Sequence, residues 1–307
     1  MKKLLTLFIC CLFPLFLQNT SLIAQQKADT TYTPIVKNPV YETGEGPVIF
    51  IDEAHYNFHT LDGRYKAFAQ LLGKDGYKML PFTKLFTKKE LEKGKILVIS
   101  NALHKDNTER WSLPTPSAFS KEEINAVNDW VKNGGSLFLI ADHMPMPGAA
   151  ADLAASFGFT FYNGYAVDTT KRGSDTFDLE KGTLLSGTIT DGRNDAEKID
   201  SVTSFTGQGF EIPPNAQPML MFNSHFMMFM TEEAGRITEE TRRISAAGFF
   251  QGAFMEYGKG RLVVFGEAAM FTAQTGGGRI FGMGSPEAPQ NEQFLLNIIH
   301  WLDGLIQ

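Results

Sequence analysis

Short, wholly apolar runs alternate with stretches of helical periodicity over residues 47–164, and the alternation resumes at Arg261. Pro47-Val-Ile-Phe-Ile51, Lys95-Ile-Leu-Val-Ile-Ser100, Leu137-Phe-Leu-Ile-Ala141 and Arg261-Leu-Val-Val-Phe265 carry almost no polar side chain, so water is expected on neither face of these strands. Tyr77-Lys-Met-Leu-Pro81 is a shorter strand that its proline closes. Between the runs, Tyr65, Phe68, Ala69 and Leu72 recur at helical spacing, and Gly73 ends that helix. Ser120 with Glu123 three residues later is a capping box that opens a helix burying Ile124, Val127 and Val131. A small-residue helix is expected over Ala149–Phe157, and a last helix over Asn291–Asp303, capped by Gly304. Strand and helix in alternation predict an α/β fold: a doubly wound, mostly parallel sheet of flavodoxin-like type, with right-handed crossovers.

From Tyr165 to about Ala247 the periodicity fails. The stretch is polar and punctuated by glycine, with β-like segments at Phe210 and at Pro218–Phe222, so it reads as a β-rich insertion or extension. Glu232–Arg243 is expected as a solvated loop or short helix. The domain plan is therefore a tether over 25–46 and a single α/β domain over 47–307, with the insertion at about 165–247.

The first 24 residues fall outside that plan. Lys2 and Lys3 precede the apolar run Leu4–Leu17, and a small residue, Ala24, precedes Gln25, the pattern of a secretory signal peptide. The run is short and broken by Pro14, which disfavours a membrane anchor, and a lipoprotein cut at Cys10 or Cys11 would leave it almost no apolar core. Export to the periplasm or the exterior, with no stable membrane insertion after cleavage, is the expectation. Both cysteines lie in this segment, so the processed chain would have neither a disulfide nor a thiol nucleophile. The formal charge of −6, about −8 after cleavage, argues against nucleic acid and offers no polybasic patch for lipid. A small-molecule partner is the expectation, with a homo-oligomer left open.

In a parallel sheet the carboxyl ends of the strands share one rim, where ligands bind. The first strand delivers Asp52, with His55 and His59 beyond it; the third delivers Asn101 and His104; the central strand delivers Asp142 and His143; the last delivers Glu267. Two chemistries fit. In one, His55 and His59, with Asp142 or His143, hold a divalent metal such as zinc, and a carboxylate activates its water. In the other, Asp52, Asp142, His143 and Glu267 supply metal-free acid–base catalysis. Asn101, His104, Gln208 in the polar loop 203–209, and Arg279 in the glycine-rich loop 276–284 are candidate substrate contacts. Bland readings stand beside these: Asp52 and Asp142 as turn-closing acceptors, His225 as a core histidine, His300 as structural, and loop 276–284 as a rim lid.

Four segments carry a family resemblance: Val48–His55, Trp130–Asp142, Gly258–Glu267 and Asn291–Leu302. Together they make the chain similar to the class I glutamine-amidotransferase-like superfamily, specifically to a secreted bacterial DUF4350-type branch, over residues 47–164 and 248–304. The helix-Gly-Gly-strand unit is shared with trehalose-utilisation-type proteins and the trimerisation domain of some β-galactosidases. The resemblance implies a flavodoxin-like scaffold. Amidotransferases place a nucleophilic Cys on the turn after a central strand, where this chain has Asp142-His143. Thiol-based glutamine hydrolysis is therefore excluded. A hydrolase acting on an unknown, carbohydrate-related substrate and a non-catalytic binding or assembly module both remain open.

Overall fold

The computed structural model describes residues 26–307; the expected signal peptide, 1–24, lies outside them. Five strands run parallel: β1 (Val48–Asp52), β2 (Lys78–Phe82), β3 (Ile96–Ser100), β4 (Ser136–Ile140) and β5 (Gly260–Phe265). Their order across the sheet is β2-β1-β3-β4-β5, the order of flavodoxin-like sheets. The register places Leu97 beside Leu137 and Leu137 beside Leu262, so apolar side chains form continuous rows. Beyond β5 the sheet turns antiparallel through Phe250–Tyr257, Phe210–Glu211 and Thr160–Phe161, and Gln217–Met221 also pairs with Phe250–Tyr257. The molecule is thus mixed α/β, with a largely parallel sheet extended by antiparallel strands.

Alternate side chains of these strands feed two separate cores. Ile49, Ile51, Ile96, Val98, Phe138 and Val263 pack with α1 (Lys66–Lys74) and α4 (Asn291–Asp303). Phe50, Leu97, Ile99, Leu137, Leu139 and Val264 pack with α2 (Lys121–Lys132) and α3 (Met146–Ser156). Period-two alternation buries both sides of each strand because both sides carry apolar residues. The expected capping box opens α2, with Ser120 Oγ accepting from the Glu123 N–H and Glu123 accepting from the Ser120 N–H. Gly304 adopts φ 92° at the end of α4, the left-handed turn that favours glycine.

The segment after Tyr165 forms small sheets of its own: Tyr165–Asp168 with Phe226–Met230 and Arg242–Ser245, and Asp175–Asp178 with Ser201–Ser204. Arg242–Arg243, expected within a solvated loop or short helix, therefore begins a strand. The glycine-rich stretch is a β-hairpin, Ala273–Gly276 against Arg279–Gly282, with Gly277 and Gly278 at φ 58° and 76° in its turn. Gln26 is followed by a short strand, Lys27–Ala28, that pairs with the same hairpin. Among the described residues, no helix is long and apolar enough to cross a membrane.

Candidate functional site

The carboxyl rim of the parallel strands sorts the candidate residues into three groups. At the end of β1, Asp52 is fully buried, and both its oxygens lie 2.9 Å from His55 Nδ1. The other ring nitrogen, Nε2, lies 3.0 Å from Glu123 Oε1. Phe86 and Phe119 pack against the imidazole at 4.6 and 4.7 Å between ring centres. Burial alone would lower the pKa of His55, but the bonds to Asp52 and Glu123 outweigh it and hold it above the ordinary value. Glu123 is held low because Ser120, His55 and the Phe86 N–H together overcome the effect of burial. This is a closed carboxylate–imidazolium–carboxylate triad, with every imidazole nitrogen committed.

His59 does not join it. Its Nδ1 faces Ser100 Oγ at 3.3 Å, and its ring packs on Tyr65 at 4.6 Å. Burial, and then the charge of Arg64, push its pKa down to about 3, so it is neutral under ordinary conditions. The expected His55–His59 metal pair is thereby corrected. The residues between them form no helix, and the two rings are drawn to opposite partners. Asp52 is likewise withdrawn from catalysis, since its carboxylate is spent on His55, Asn57 and the Ala54 N–H. Among the described residues there is no group of three or more His, Cys, Asp or Glu that could hold a metal ion.

The second group converges. Asn101, directly after β3, takes φ 50°, a left-handed conformation that asparagine tolerates better than most residues. From there its Oδ1 accepts the Asp142 N–H at 2.8 Å. Asp142 Oδ1 accepts the His143 N–H at 2.7 Å and the Thr206 hydroxyl at 3.2 Å. His143 Nδ1 lies 2.9 Å from the Met144 carbonyl, which requires a proton on Nδ1 and leaves the lone pair on Nε2 in the neutral ring. The His143 ring stacks on Tyr165 at 4.4 Å, and Tyr165 Oη accepts the Gly235 N–H. Trp111 stands 6.1 Å from His143, on a loop tied to the insertion by the Ala234 N–H and the Trp111 carbonyl.

Around these residues lies a cavity of about 90 Å³, lined among others by His59, Asn101, Asp142, His143, Thr206 and Gln274. Phe58, Trp111 and Phe205 give it aromatic walls. Gln274 is 1% exposed; its Nε2 donates to Thr272 Oγ1, and its Oε1 has no partner. Glu267 is fully buried, its two oxygens accepting the Ala269 and Met270 N–H groups at 2.8 Å each. Burial, and then the charge of Asp142, push the Glu267 carboxyl well above its usual range. It anchors the turn after β5 and does not line the cavity, which corrects its expected catalytic role.

The third group lies elsewhere or is already committed. Gln208 spends its amide on the Ala141 carbonyl and the Tyr162 N–H, which makes it a brace between strands and corrects its expected role as a substrate contact. His104 caps the turn Lys105–Asn107 through the Asp106 N–H, and Arg279 is exposed over Phe281; neither lines the cavity. His225 is exposed, contrary to its expected place in the core. His300 is buried on Asp75 at 2.7 Å. The sequence reading did not single out Trp111, Thr206, Gln274 or Glu123 as site residues. A tryptophan in an otherwise polar loop was the one available signal for Trp111.

No protein-family model matches the sequence, and no curated protein matches it. Among solved structures the chain is similar to the N-terminal domain of mmIFT52, with a TM-score of 0.57 and 13% identity over 84% of this chain and 97% of that one. A ThuA-like protein from Bacteroides uniformis aligns at a TM-score of 0.49 and 11% identity, over 86% of this chain and 94% of that one. The β-galactosidase of Bacillus circulans sp. alkalophilus aligns at 0.45 and 9% identity, over 84% of this chain and 31% of that one. Likeness at such identity speaks to fold alone.

Proposed function

We propose that the chain is an exported α/β protein whose rim cleft binds a small polar ligand. Its scaffold reads as doubly wound and flavodoxin-like, of glutamine-amidotransferase type without the amidotransferase thiol. The strand order and the two cores, one on each face of the sheet, support that reading. Residues 47–307 then form one domain that carries 165–247 as an insertion. The N-terminal pattern supports export to the periplasm or the exterior, as a monomer or a homo-oligomer, and the negative charge favours a partner other than nucleic acid.

The observation that carries the binding reading is a set of uncommitted acceptors on one cavity. Gln274 Oε1 is buried without a partner, and among the described residues Asp142 Oδ2 and His143 Nε2 have none either. A buried polar atom is normally satisfied, so the orphaned Gln274 oxygen, with two further free acceptors on the same cavity, marks a place for a donor-bearing guest. A second reading, hydrolysis, is favoured by the fixed tautomer of His143. Its Nε2 can take a proton from water while the Met144 carbonyl holds the opposite N–H. The test is thermal unfolding of the wild type and of a His143→Gln/Asp142→Asn variant against a panel of small polyols, amines and acids. Stabilisation of the wild type alone, with the variant still folded, is expected; equal shifts in both proteins would contradict the site.

A further inference from the structure

We infer that the ligand of this cleft is a small hydroxylated organic cation, a primary ammonium whose N–H donors meet Asp142, Gln274 and His143. The inference rests on the reading of the cleft as a ligand site and adds the chemistry of its occupant. Asp142, which lines the cavity, is 6% exposed. Among the described residues it takes part in no ion pair, although pairs are made elsewhere, as at Arg193–Glu197 and Lys93–Glu90. A buried carboxylate without a counter-charge is costly, and a bound cation is the direct remedy. Among the described residues, no Lys or Arg lines the cavity. Arg64, close enough to influence His59, is held over the Phe58 ring at 3.8 Å.

Two further observations separate an organic cation from a metal ion or an anion. Asp142 Oδ2, Gln274 Oε1 and His143 Nε2, on residues that line the cavity, accept no hydrogen bond among the described residues, and the N–H donors of an ammonium group suit such acceptors. Two of the aromatic lining residues, Trp111 and Phe205, carry no guanidinium among the described residues, whereas Phe58 already holds Arg64, so the first two rings are left to attract a guest cation. Asn101, whose Oδ1 is used by the Asp142 N–H, retains its amide hydrogens for a hydroxyl. A volume of about 90 Å³ corresponds to about three waters at their liquid share of about 30 Å³ each, the scale of a small amino alcohol.

The experiment uses three probes of nearly equal size: serinol as the ammonium, glycerol as its neutral counterpart and lactate as an anion. Each is titrated calorimetrically into the full-length processed protein at neutral pH. Serinol is expected to bind at least tenfold more tightly than glycerol, and lactate not at all. Asp142→Asn keeps an oxygen for the His143 N–H and the Thr206 hydroxyl, and is expected to erase the serinol preference while glycerol binding persists. Should Asp142→Asn fail to fold, Gln274→Leu removes the second acceptor, and a several-fold loss for serinol is expected. Equal affinity for serinol and glycerol, tighter binding of lactate, or displacement of serinol by zinc or calcium would overturn the cation and leave the cleft reading standing. Binding of none of the three would overturn both.

Discussion

Asn101 holds Asp142 in place: its side-chain oxygen, 2.8 Å from the Asp142 N–H, ties the end of β3 to the turn after β4. The contact depends on the left-handed backbone of Asn101, so the same residue supplies both the unusual conformation and the hydrogen bond. Asn101→Ala loses both and leaves the Asp142 N–H without its acceptor. A loss of about 2–4 kcal/mol in denaturant unfolding is expected. Asn101→Gly, which accepts the backbone but not the bond, is expected to cost about 1 kcal/mol less.

The Asp52–His55–Glu123 triad sets a pH window for stability. His55 is raised above its ordinary 6.5, so its contribution is complete below that pH and is lost as pH rises through the higher folded value. Glu123 is lowered below its ordinary 4.5, so its contribution is complete above that pH and is lost as pH falls through the lower folded value. The stability advantage of the wild type over Glu123→Gln, measured by urea unfolding, is therefore expected to peak between pH 4.5 and 6.5 and to shrink on both sides. Glu123→Ala leaves His55 short of a partner and is expected to cost about 3–5 kcal/mol within that window.

His59 acts in the opposite sense. Its pKa is depressed to about 3 by burial, so the folded state resists its protonation. Stability is complete above its ordinary 6.5 and is lost progressively as pH falls from there towards 3. His59→Gln is expected to flatten that acid limb, measured as the midpoint of unfolding between pH 6 and pH 3.5 against the wild type.

Gly207 governs the loop that brings Thr206 to Asp142. It sits at φ 119°, and a Cβ there would stand 2.4 Å from the Gly266 carbonyl oxygen and 2.5 Å from Gln251 Nε2. Gly207→Ala must therefore shift the loop as well as strain it. A loss of more than about 1 kcal/mol and at least a several-fold weakening of ligand binding are expected, read by unfolding and calorimetry on the same preparation.

How much of this was written in the sequence depended on whether a residue's surroundings were local. The parallel strands were legible because each is an apolar run with both faces buried. Strand Phe250–Tyr257 was not, because Gln251 and Gly252 interrupt its pattern, and Gly252 is required where the Phe265 ring would stand 2.9 Å from a Cβ. The rim position of Asp142 and His143 was readable from strand ends. The error over His55 arose from spacing: an i, i+4 pair meets only on a helix, and here the chain is a turn. Glu123 was legible as a capping residue but not as the partner of His55, which reaches it from 68 residues away. Gln274 could not be found at all, since its significance is an unpaired oxygen on a hairpin folded against a distant rim.

The six histidines are spread so that they report directly on the cleft. His143 and His59 line it, while His104, His225 and His300 lie away from it. The decisive measurement is NMR of the histidine ring resonances during titration with serinol at neutral pH. Saturable shifts of His143 and His59, with His104, His225 and His300 unmoved, are the expected result. Shifts confined to the distant histidines, or none at concentrations where calorimetry detects binding, would place the ligand elsewhere and contradict the rim cleft as the functional site.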